Sequence, residues 1–317
     1  MKCRICKKTA CVGLRSHNTA FCEDCFLQFF QRQIERGIEK EHLFTKDDRI
    51  LVAISGGKDS LALLYELNHL GYNVTGLHID LAIQGSSDTA REAVERFCQK
   101  HALPLIVLAT SDYDLAIPTV KASVRRPICS ACGTIKRYFF NKVAIDQHFT
   151  VLATGHTLDD EVARLLSNTL RWDPSYLATQ GPLLPAENGF VRKVKPLWRL
   201  SEYETATFCF LLGIENTHTV CPYSQGASFT VLKKLLNNLE ATMPGRKIDF
   251  YQGFLERGKP HFRTMAPTNA NLRPCIQCGY PTSNDDMCGV CHMRTLVRAR
   301  KGEAHKDKTE VEEEKGE

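Results

Sequence analysis

The residues best suited to chemistry lie in one short loop, Ser55-Gly56-Gly57-Lys58-Asp59-Ser60. An apolar, partly β-branched run at 49–54 precedes the loop and predicts a buried strand, and a helical pattern follows from 61 to about 71. A turn between a strand and a helix N-terminus directs several backbone N–H groups at one point, where the helix dipole adds partial positive charge. The loop is therefore predicted to bind an anion such as phosphate.

The side chains of this loop suit a nucleotide. Gly56 and Gly57 let the backbone approach a phosphate closely, and Lys58 supplies positive charge. The two flanking serines supply hydroxyl groups, and Asp59 is suited to hold a metal ion or a ribose. The pattern differs from a Walker loop, G-x-x-x-x-G-K-[ST], and resembles the PP-loop of enzymes that split ATP to AMP and pyrophosphate. A plain Gly-Gly turn without a ligand is the alternative.

The cysteines of this 317-residue chain, fourteen in number, indicate a second kind of chemistry. In a reducing compartment, repeated C-x-x-C pairs indicate metal ligation rather than disulfide bonds. Two sets have the arrangement of closed, tetrahedral zinc sites with a structural role. The first set is Cys3, Cys6, Cys22 and Cys25, and the second is Cys275, Cys278, Cys288 and Cys291. We expect one zinc ion in each set, with iron as the alternative metal.

A third set of cysteines lies in the middle of the chain. Cys129 and Cys132 form a C-x-x-C pair, and their plausible partner is Cys221, which Pro222 follows. One interpretation is a redox pair, with Cys221 as a core residue. The other is a three-cysteine site for a [4Fe–4S] cluster in which one iron stays open to an exogenous ligand such as sulfide. The spacing alone leaves both interpretations open.

Strand and helix patterns alternate from residue 49 onward, which predicts an α/β fold with a doubly wound parallel sheet. Ligands of such folds lie at the carboxyl ends of the strands. Further strands are predicted at 73–80, 105–108 and 150–155, helices at 88–101, 132–148, 159–170, 201–212 and 228–239, and an irregular, proline-rich segment at 171–200. The predicted organisation is a zinc finger at 1–30, a linker helix at 31–48, the catalytic domain at 49–225, a helical extension at 226–271, a second zinc finger at 272–300 and a disordered charged tail at 301–317.

Charge and hydropathy narrow the class of protein. The net charge of +5 is modest, but basic pairs at Arg125-Arg126 and Lys136-Arg137 flank the central C-x-x-C motif, which favours contact with nucleic acid. No apolar stretch approaches membrane-spanning length, and the N-terminus does not have the pattern of a signal peptide. We therefore expect a cytoplasmic protein that does not bind a membrane.

These motifs together resemble one family of enzymes. The loop at 55–60, the central cysteines, the run Thr154–Glu161 and the four-cysteine sets at both ends are similar to the TtuA-type tRNA 2-thiouridine synthetases, in the wider TtcA group of PP-loop ATP pyrophosphatases. The similarity extends from Met1 to about Arg300. It implies an adenine nucleotide alpha-hydrolase-like fold, and it makes the three-cysteine [4Fe–4S] cluster the favoured interpretation.

The resemblance also implies a reaction and its partners. ATP would adenylate the C2 oxygen of a uracil in tRNA, with the T-loop uridine or 5-methyluridine as the expected target, and a sulfur nucleophile would then displace AMP. Adenylation is needed because a carbonyl oxygen is a poor leaving group. Mg²⁺ and Lys58 would neutralise charge on the phosphates. In the family the open iron is thought to carry the sulfur, a ubiquitin-like thiocarboxylate protein donates it, and a homodimer is expected.

Five residues are implied by the resemblance to line the ATP site: Ala53, Asp59, Ile79, Lys136 and Gly155. Lys136 lies one helical turn after Cys132 and is expected to stabilise the activated intermediate. Asp160 is the candidate general acid or base, or a metal partner. Compensation of the helix dipole is the alternative role for Asp159 and Asp160.

Three other functions remain as alternatives. The same chemistry could thiolate the wobble uridine or a cytidine. A persulfide on Cys132 or Cys221 could replace the cluster as the sulfur carrier. A non-catalytic RNA-binding zinc protein, with ATP as a conformational ligand, is the least favoured.

Overall fold

Strands and helices alternate along the chain, as the apolar pattern predicts. The computed structural model describes residues 1–217, 221–224, 228–265 and 272–313. Its strands are β1 Val12–Leu14, β2 Thr19–Phe21, β3 Arg49–Ile54, β4 Asn73–Asp80, β5 Leu105–Ala109, β6 Val151–Thr154, β7 Leu183–Leu184, β8 Arg192–Val194, β9 Arg273–Pro274 and β10 Pro281–Thr282. Its α-helices are α1 Glu23–Lys40, α2 Lys58–His69, α3 Ser86–Lys100, α4 Ile117–Ser123, α5 Ile128–Asp146, α6 Leu158–Arg171, α7 Pro174–Thr179, α8 Glu202–Leu211, α9 Ser228–Thr242, α10 Arg246–Gly253, α11 Lys259–Met265 and α12 Gly289–Glu313.

Six strands form the central sheet, in the order β5-β4-β3-β6-β8-β7. All neighbours are parallel except β7, which pairs antiparallel with β8 at one edge. Ala53 of β3 lies opposite Leu77 of β4 and Thr154 of β6. The carboxyl ends of these three strands therefore meet at one edge of the sheet, where the loop at 55–60 begins. The prediction of a doubly wound α/β sheet is confirmed, with one antiparallel edge strand that the sequence did not indicate.

Helices cover both faces of the sheet. Ile50 and Val52 of β3 pack with α1, α2, α6 and α8, whereas Leu51 packs with α4, α5 and α12. Successive residues of a strand point to opposite faces, so an uninterrupted apolar run is what a sheet buried on both sides requires. Two small hairpins, β1–β2 and β9–β10, accompany the cysteine sets near the two ends of the chain.

Several elements differ from the predicted ones. The helix predicted at 31–48 begins at Glu23 and ends at Lys40, because Glu23 and Asp24 supply the acidic first turn that favours a helix start. The segment predicted to be irregular contains α7, β7 and β8. Helix α12 gives helical backbone to most of the tail predicted to be disordered, which is rich in the helix formers Lys and Glu. The domain boundaries themselves stay a prediction, and residues 218–220, 225–227, 266–271 and 314–317 lie outside the described residues.

No helix among the described residues combines the length and the apolar character that crossing a membrane requires.

Candidate active site and metal centres

The loop between β3 and α2 has the backbone of a phosphate-binding turn. Gly56 has a φ of +83°, a left-handed conformation that favours glycine, and its carbonyl accepts a hydrogen bond from the N–H of Thr217 at 2.9 Å. The Ser60 hydroxyl accepts from the N–H of Ser55 at 3.1 Å and donates to the carbonyl of Gly57 at 2.9 Å. Ser60 therefore closes the loop internally, whereas Ser55 is exposed.

Lys58 and Asp59 form an ion pair at the start of α2, with Nζ 2.9 Å from Oδ2. The other carboxylate oxygen of Asp59 accepts a hydrogen bond from the Thr205 hydroxyl on α8. Burial raises the pKa of Asp59, and the positive charge of Lys58 offsets part of the rise. Lys58 is therefore held beside the loop, where an incoming phosphate would compete with Asp59 for its ammonium group.

Gly155 follows β6 at the point where that strand meets the first turn of α2. A Cβ atom at this position would lie 2.9 Å from both the Cα and the N of Ser60, and 3.0 Å from the carbonyl carbon of Asp59. These neighbours are backbone atoms, which cannot turn aside as the end of a long side chain can. Glycine is therefore required here for the close approach of β6 to the phosphate-binding loop.

The Gly155→Ala variant is expected to lower the free energy of unfolding by about 1–3 kcal/mol, the usual range for overpacking a tight site. It is also expected to weaken binding of an ATP analogue, because the loop backbone must move to admit the methyl group. Chemical denaturation and calorimetric titration measure the two effects. The control is Gly253→Ala in α10, where the new Cβ would meet an Arg257 side-chain nitrogen at 3.6 Å, an ordinary contact. Equal behaviour of the two variants would contradict this role of Gly155.

Three acidic residues lie in the first turn of α6, and the first two, Asp159 and Asp160, are already bonded. The Oδ2 atom of Asp160 accepts from the N–H of Thr157 at 3.0 Å, and its Oδ1 lies 2.6 Å from Nζ of Lys233. The buried Asp159 pairs with Lys247 of α10. Burial acts to raise the pKa of Asp160, but Lys233, together with His156 and the N–H of Thr157, lowers this pKa overall. These contacts favour a helix-capping role, and proton transfer by Asp160 stays a prediction.

The three central cysteines and Lys136 lie in one neighbourhood. Cys129, Cys132 and Lys136 follow one another on α5 at spacings of three and four residues, so they share a face of the helix. The Cys129 Sγ lies 3.4 Å from the carbonyl oxygen of Tyr223, two residues after Cys221. Burial raises the pKa of Cys132, Lys136 offsets part of the rise, and the thiols of Cys221 and Cys129 add to it. The contact between Cys129 and Tyr223 places the segment that carries Cys221 against the first turn of α5.

The arrangement of these three thiols suits a cluster better than a single ion. Among the described residues, the two terminal cysteine sets are the groups that bring all their ligand atoms within 4.8 Å of one another. The central sulfurs are therefore spaced more widely than one zinc ion needs. A [4Fe–4S] cluster distributes its cysteine ligands over several iron atoms, and wider spacing fits it. Cys129 is exposed and its two partners are half-buried, so the site is accessible from solvent.

Two residues predicted to contact ATP, Ala53 and Ile79, lie toward the carboxyl ends of β3 and β4 on the face that α5 covers. The structure adds His78, the residue before Ile79 in β4, which no motif indicated. The Nδ1 atom of His78 donates to the carbonyl of Ile54 at 3.1 Å, and its buried Nε2 has no hydrogen-bond partner among the described residues. Burial lowers the pKa of His78, and Lys136 contributes to the effect. A neutral imidazole therefore lies at this strand edge.

Three further side chains that hold the site come from later helices. Thr205 of α8 bonds Asp59, while Lys233 of α9 and Lys247 of α10 pair with the acidic residues at the start of α6. These three residues are far along the chain from the residues they contact, so no local sequence pattern indicates the contacts.

Both terminal cysteine sets form compact groups of four ligands. The Sγ atoms of Cys6 and Cys22 lie 3.4 Å apart, and those of Cys278 and Cys288 lie 3.7 Å apart. A tetrahedral ion with Zn–S bonds of about 2.3 Å places its sulfurs about 3.8 Å apart. Burial raises the pKa of Cys275, but surrounding backbone N–H groups, led by that of Cys288, lower it to about 6. This favours the thiolate that a metal ion binds, so each set fits one zinc ion.

Comparison with known proteins identifies the family. Residues 26–210 match the profile of a PP-loop domain, and residues 2–27 match the N-terminal LIM domain of 2-thiouridine synthetase TtuA. The chain is 40% identical over 294 residues to a tRNA-5-methyluridine(54) 2-sulfurtransferase of Pyrococcus horikoshii, with coverage of 92% of this chain and 93% of the relative. This chain belongs to the TtuA family of PP-loop tRNA sulfurtransferases.

Another member of the TtuA family and a related structure agree. The enzyme of the same name from Thermus thermophilus is 40% identical over 301 residues, covering 95% of this chain and 93% of that protein. The structure of the U34-tRNA thiolase NcsA from Methanococcus maripaludis with its [4Fe–4S] cluster superposes with a TM-score of 0.78, at 26% identity and with coverage of 92% of this chain and 95% of NcsA. The resemblance predicted from the motifs is confirmed.

Proposed function

We propose that this chain replaces the C2 oxygen of a uracil in tRNA by sulfur, in an ATP-dependent reaction at position 54. The observation that carries the proposal is the position of the phosphate-binding loop at one strand edge with α5, which bears Lys136 and two of the three cysteines, packed across the same sheet face. Relatives at 39–40% identity are named for position 54, whereas the U34 thiolase is 26% identical. Identity therefore favours the T-loop base over the wobble base.

The chain supplies the binding and electrostatic parts of this reaction. The loop N–H groups and Lys58 bind the pyrophosphate that leaves ATP, and Asp59 would hold a Mg²⁺ ion that offsets the negative charge of the phosphates. The C2 oxygen becomes bonded to the α-phosphorus, a sulfur nucleophile attacks C2, and AMP departs with the oxygen. Lys136 stabilises the negative charge that develops during these steps.

A [4Fe–4S] cluster held by Cys129, Cys132 and Cys221 belongs to this proposal. Three cysteine ligands leave one iron open, which would keep an incoming sulfur deprotonated and close to the base. A ubiquitin-like thiocarboxylate protein as sulfur donor, a homodimer and a cytoplasmic location complete the proposal.

The test uses the anaerobically purified chain with Mg-ATP, sodium sulfide and a tRNA that carries 5-methyluridine at position 54. Nucleoside mass spectrometry should detect the 2-thio derivative at that position, with one AMP and one pyrophosphate per thiolated base. A tRNA with cytidine at position 54 is the control. Thiolation of uridine 34 alone would transfer the proposal to the wobble base, and consumption of ATP without any thiolated nucleoside would refute both.

Two zinc ions with a structural role are part of the same proposal. The Cys288→Ser variant should reduce zinc from about two to about one ion per chain, since it removes a buried ligand from a four-thiolate site. Elemental analysis measures the count, and the N-terminal set serves as the internal reference. Cys11→Ala, which removes an exposed cysteine outside both sets, should keep both ions. Unchanged zinc in Cys288→Ser would contradict the assignment.

A further inference from the structure

A large groove lies between α5, the β7–β8 edge of the sheet and the C-terminal cysteine module, and α11 closes one side. It is here called the α5 groove, and its volume is about 720 Å³. Pockets that bind nucleotide-sized ligands commonly measure about 300–1,000 Å³. Arg137 lines the groove and directly follows Lys136 along α5. A ligand in the α5 groove therefore lies next to the helix that carries the catalytic lysine.

The aromatic residues of the groove form a connected set. The ring centroids of Tyr138 and Tyr280 lie 4.7 Å apart, and those of Phe190 and Tyr280 lie 5.6 Å apart. All three residues line the groove. Tyr138 is buried, whereas Phe190 and Tyr280 are half-buried and present their rings to the groove. Partly exposed aromatic rings are the usual surface on which proteins stack single-stranded bases.

The groove is held open by contacts within the fold. The buried Asn141 of α5 donates to the carbonyl of Gly189 and accepts from the N–H of Val191, both at 3.0 Å. A Cβ atom at Gly189 would approach Pro281 Cγ of the C-terminal module to 2.8 Å. The loop before β8 is thus fixed between α5 and the module, so the groove requires little ordering when a ligand enters.

The basic side chains of the groove have no carboxylate partner among the described residues, unlike Lys195 nearby. Four basic residues line the groove, and none has a carboxylate within 4.0 Å among the described residues: Arg137, Lys193, Lys259 and Arg263. Nearby Lys195, by contrast, lies 2.7 Å from Glu161. Burial lowers the pKa of Lys193 to about 8, with Lys195 and Arg137 adding to the effect. Lys259 is lowered to about the same pKa, by burial and then by Arg263.

We infer that the α5 groove binds the tRNA strand next to the target base, with phosphates on its cations and an unstacked base on its aromatic rings. This rests on the proposed function, because it assigns a site to that tRNA. An RNA strand can use both the cations and the aromatic rings of the groove, because every nucleotide carries a phosphate and a flat base. A protein tail would match the charge only if it were acidic, and it would leave the aromatic rings unused.

The test compares two variants of the full-length holoenzyme that remove the same charge. Lys193→Gln/Lys259→Gln changes the groove, and Lys100→Gln/Lys142→Gln changes two lysines outside it. Fluorescence anisotropy with labelled tRNA at several salt concentrations should give about a tenfold weaker affinity for the groove variant alone. For the groove variant, the slope of log affinity against log salt concentration should become shallower by about 1.4–1.8. Each lost phosphate contact contributes roughly 0.7–0.9 to this slope, and the variant removes two lysines. Affinity for an ATP analogue and the melting temperature should not change.

A second measurement reports on the bases. A tRNA with photoreactive 4-thiouridine beside position 54 should crosslink to peptides that contain Phe190 or Tyr280. Crosslinks confined to other surfaces would overturn the inference, as would equal tRNA affinity of the two double variants. So would a groove variant that binds tRNA normally but no longer accepts sulfur from a thiocarboxylate protein, because the groove would then hold a protein tail.

Thiolation by the wild-type chain is measured in parallel to separate the two proposals. If the wild-type chain thiolates tRNA and the groove variant binds it normally, the groove assignment fails while the proposed function stands. If tRNA binds through the groove without being thiolated, the proposed function fails and the groove assignment stands.

Discussion

Anaerobically purified Cys221→Ala is expected to contain almost no iron and to have no detectable thiolation activity, while its zinc stays at about two ions per chain. The wild-type chain should contain about four iron atoms and an equal amount of acid-labile sulfide. The reason is that Cys221 is the single ligand supplied from outside α5, so its loss leaves only the pair on one helical turn. Elemental analysis, sulfide determination and the nucleoside assay measure the three quantities.

The matched control for this experiment is Cys98→Ala, which removes a buried thiol on α3 that belongs to none of the three cysteine sets. Its iron, zinc and activity should equal those of the wild type. A wild-type chain with zinc but no iron, even after anaerobic reconstitution, would refute the cluster. Sulfur transfer through a persulfide on Cys132 or Cys221 would then be the better mechanism.

The Lys136→Ala variant is expected to lower kcat for thiolation by about 10²–10³-fold, the usual effect of losing one charged group that stabilises a transition state. Lys136 is half-buried next to Cys132 and His78, and it has no ion-pair partner among the described residues. Its charge is therefore available to the reacting groups. Single-turnover kinetics with saturating tRNA and ATP measure the chemical step directly.

Lys142→Ala is the control, because it removes a lysine from the same helix whose partner is the exposed Asp146. Its kcat should stay within twofold of the wild type, since an exposed pair at this spacing contributes only about 0.3–0.5 kcal/mol. If Lys136→Ala raised KM for tRNA and left kcat unchanged, Lys136 would be a binding residue. Normal thiolation by the variant would favour the non-catalytic interpretation.

The extent of α5 shows how a small error in an element boundary affects a site. The sequence predicted a helix from residue 132, but it begins at Ile128, directly after Pro127. Both cysteines of the central pair therefore lie in the first two turns of the helix rather than one in a loop. Boundaries are hard to predict because a helix start depends on which backbone N–H groups find partners, and Pro127 needs none.

Asp160 shows a different limit of sequence reasoning. Its position at a helix start is visible in the sequence, and so is the capping alternative. The pair with Lys233, which lowers its pKa, joins residues 73 positions apart, 233 minus 160, and no local pattern indicates it. The choice between proton transfer and capping therefore could not be made from the motif.

The sequence by itself determined the parts of this protein whose chemistry depends on short spacings. These are the phosphate-binding loop at 55–60, the zinc-type pairs of cysteines and the alternation that produces a parallel sheet, because backbone turns, metal knuckles and apolar periodicity all act over a few residues. Only the tertiary structure decided that Cys221 approaches α5, that Thr205 and Lys233 hold the acidic residues, and that unpaired cations meet aromatic rings in the α5 groove. Each of these contacts joins distant segments, so it exists only once both cores have packed.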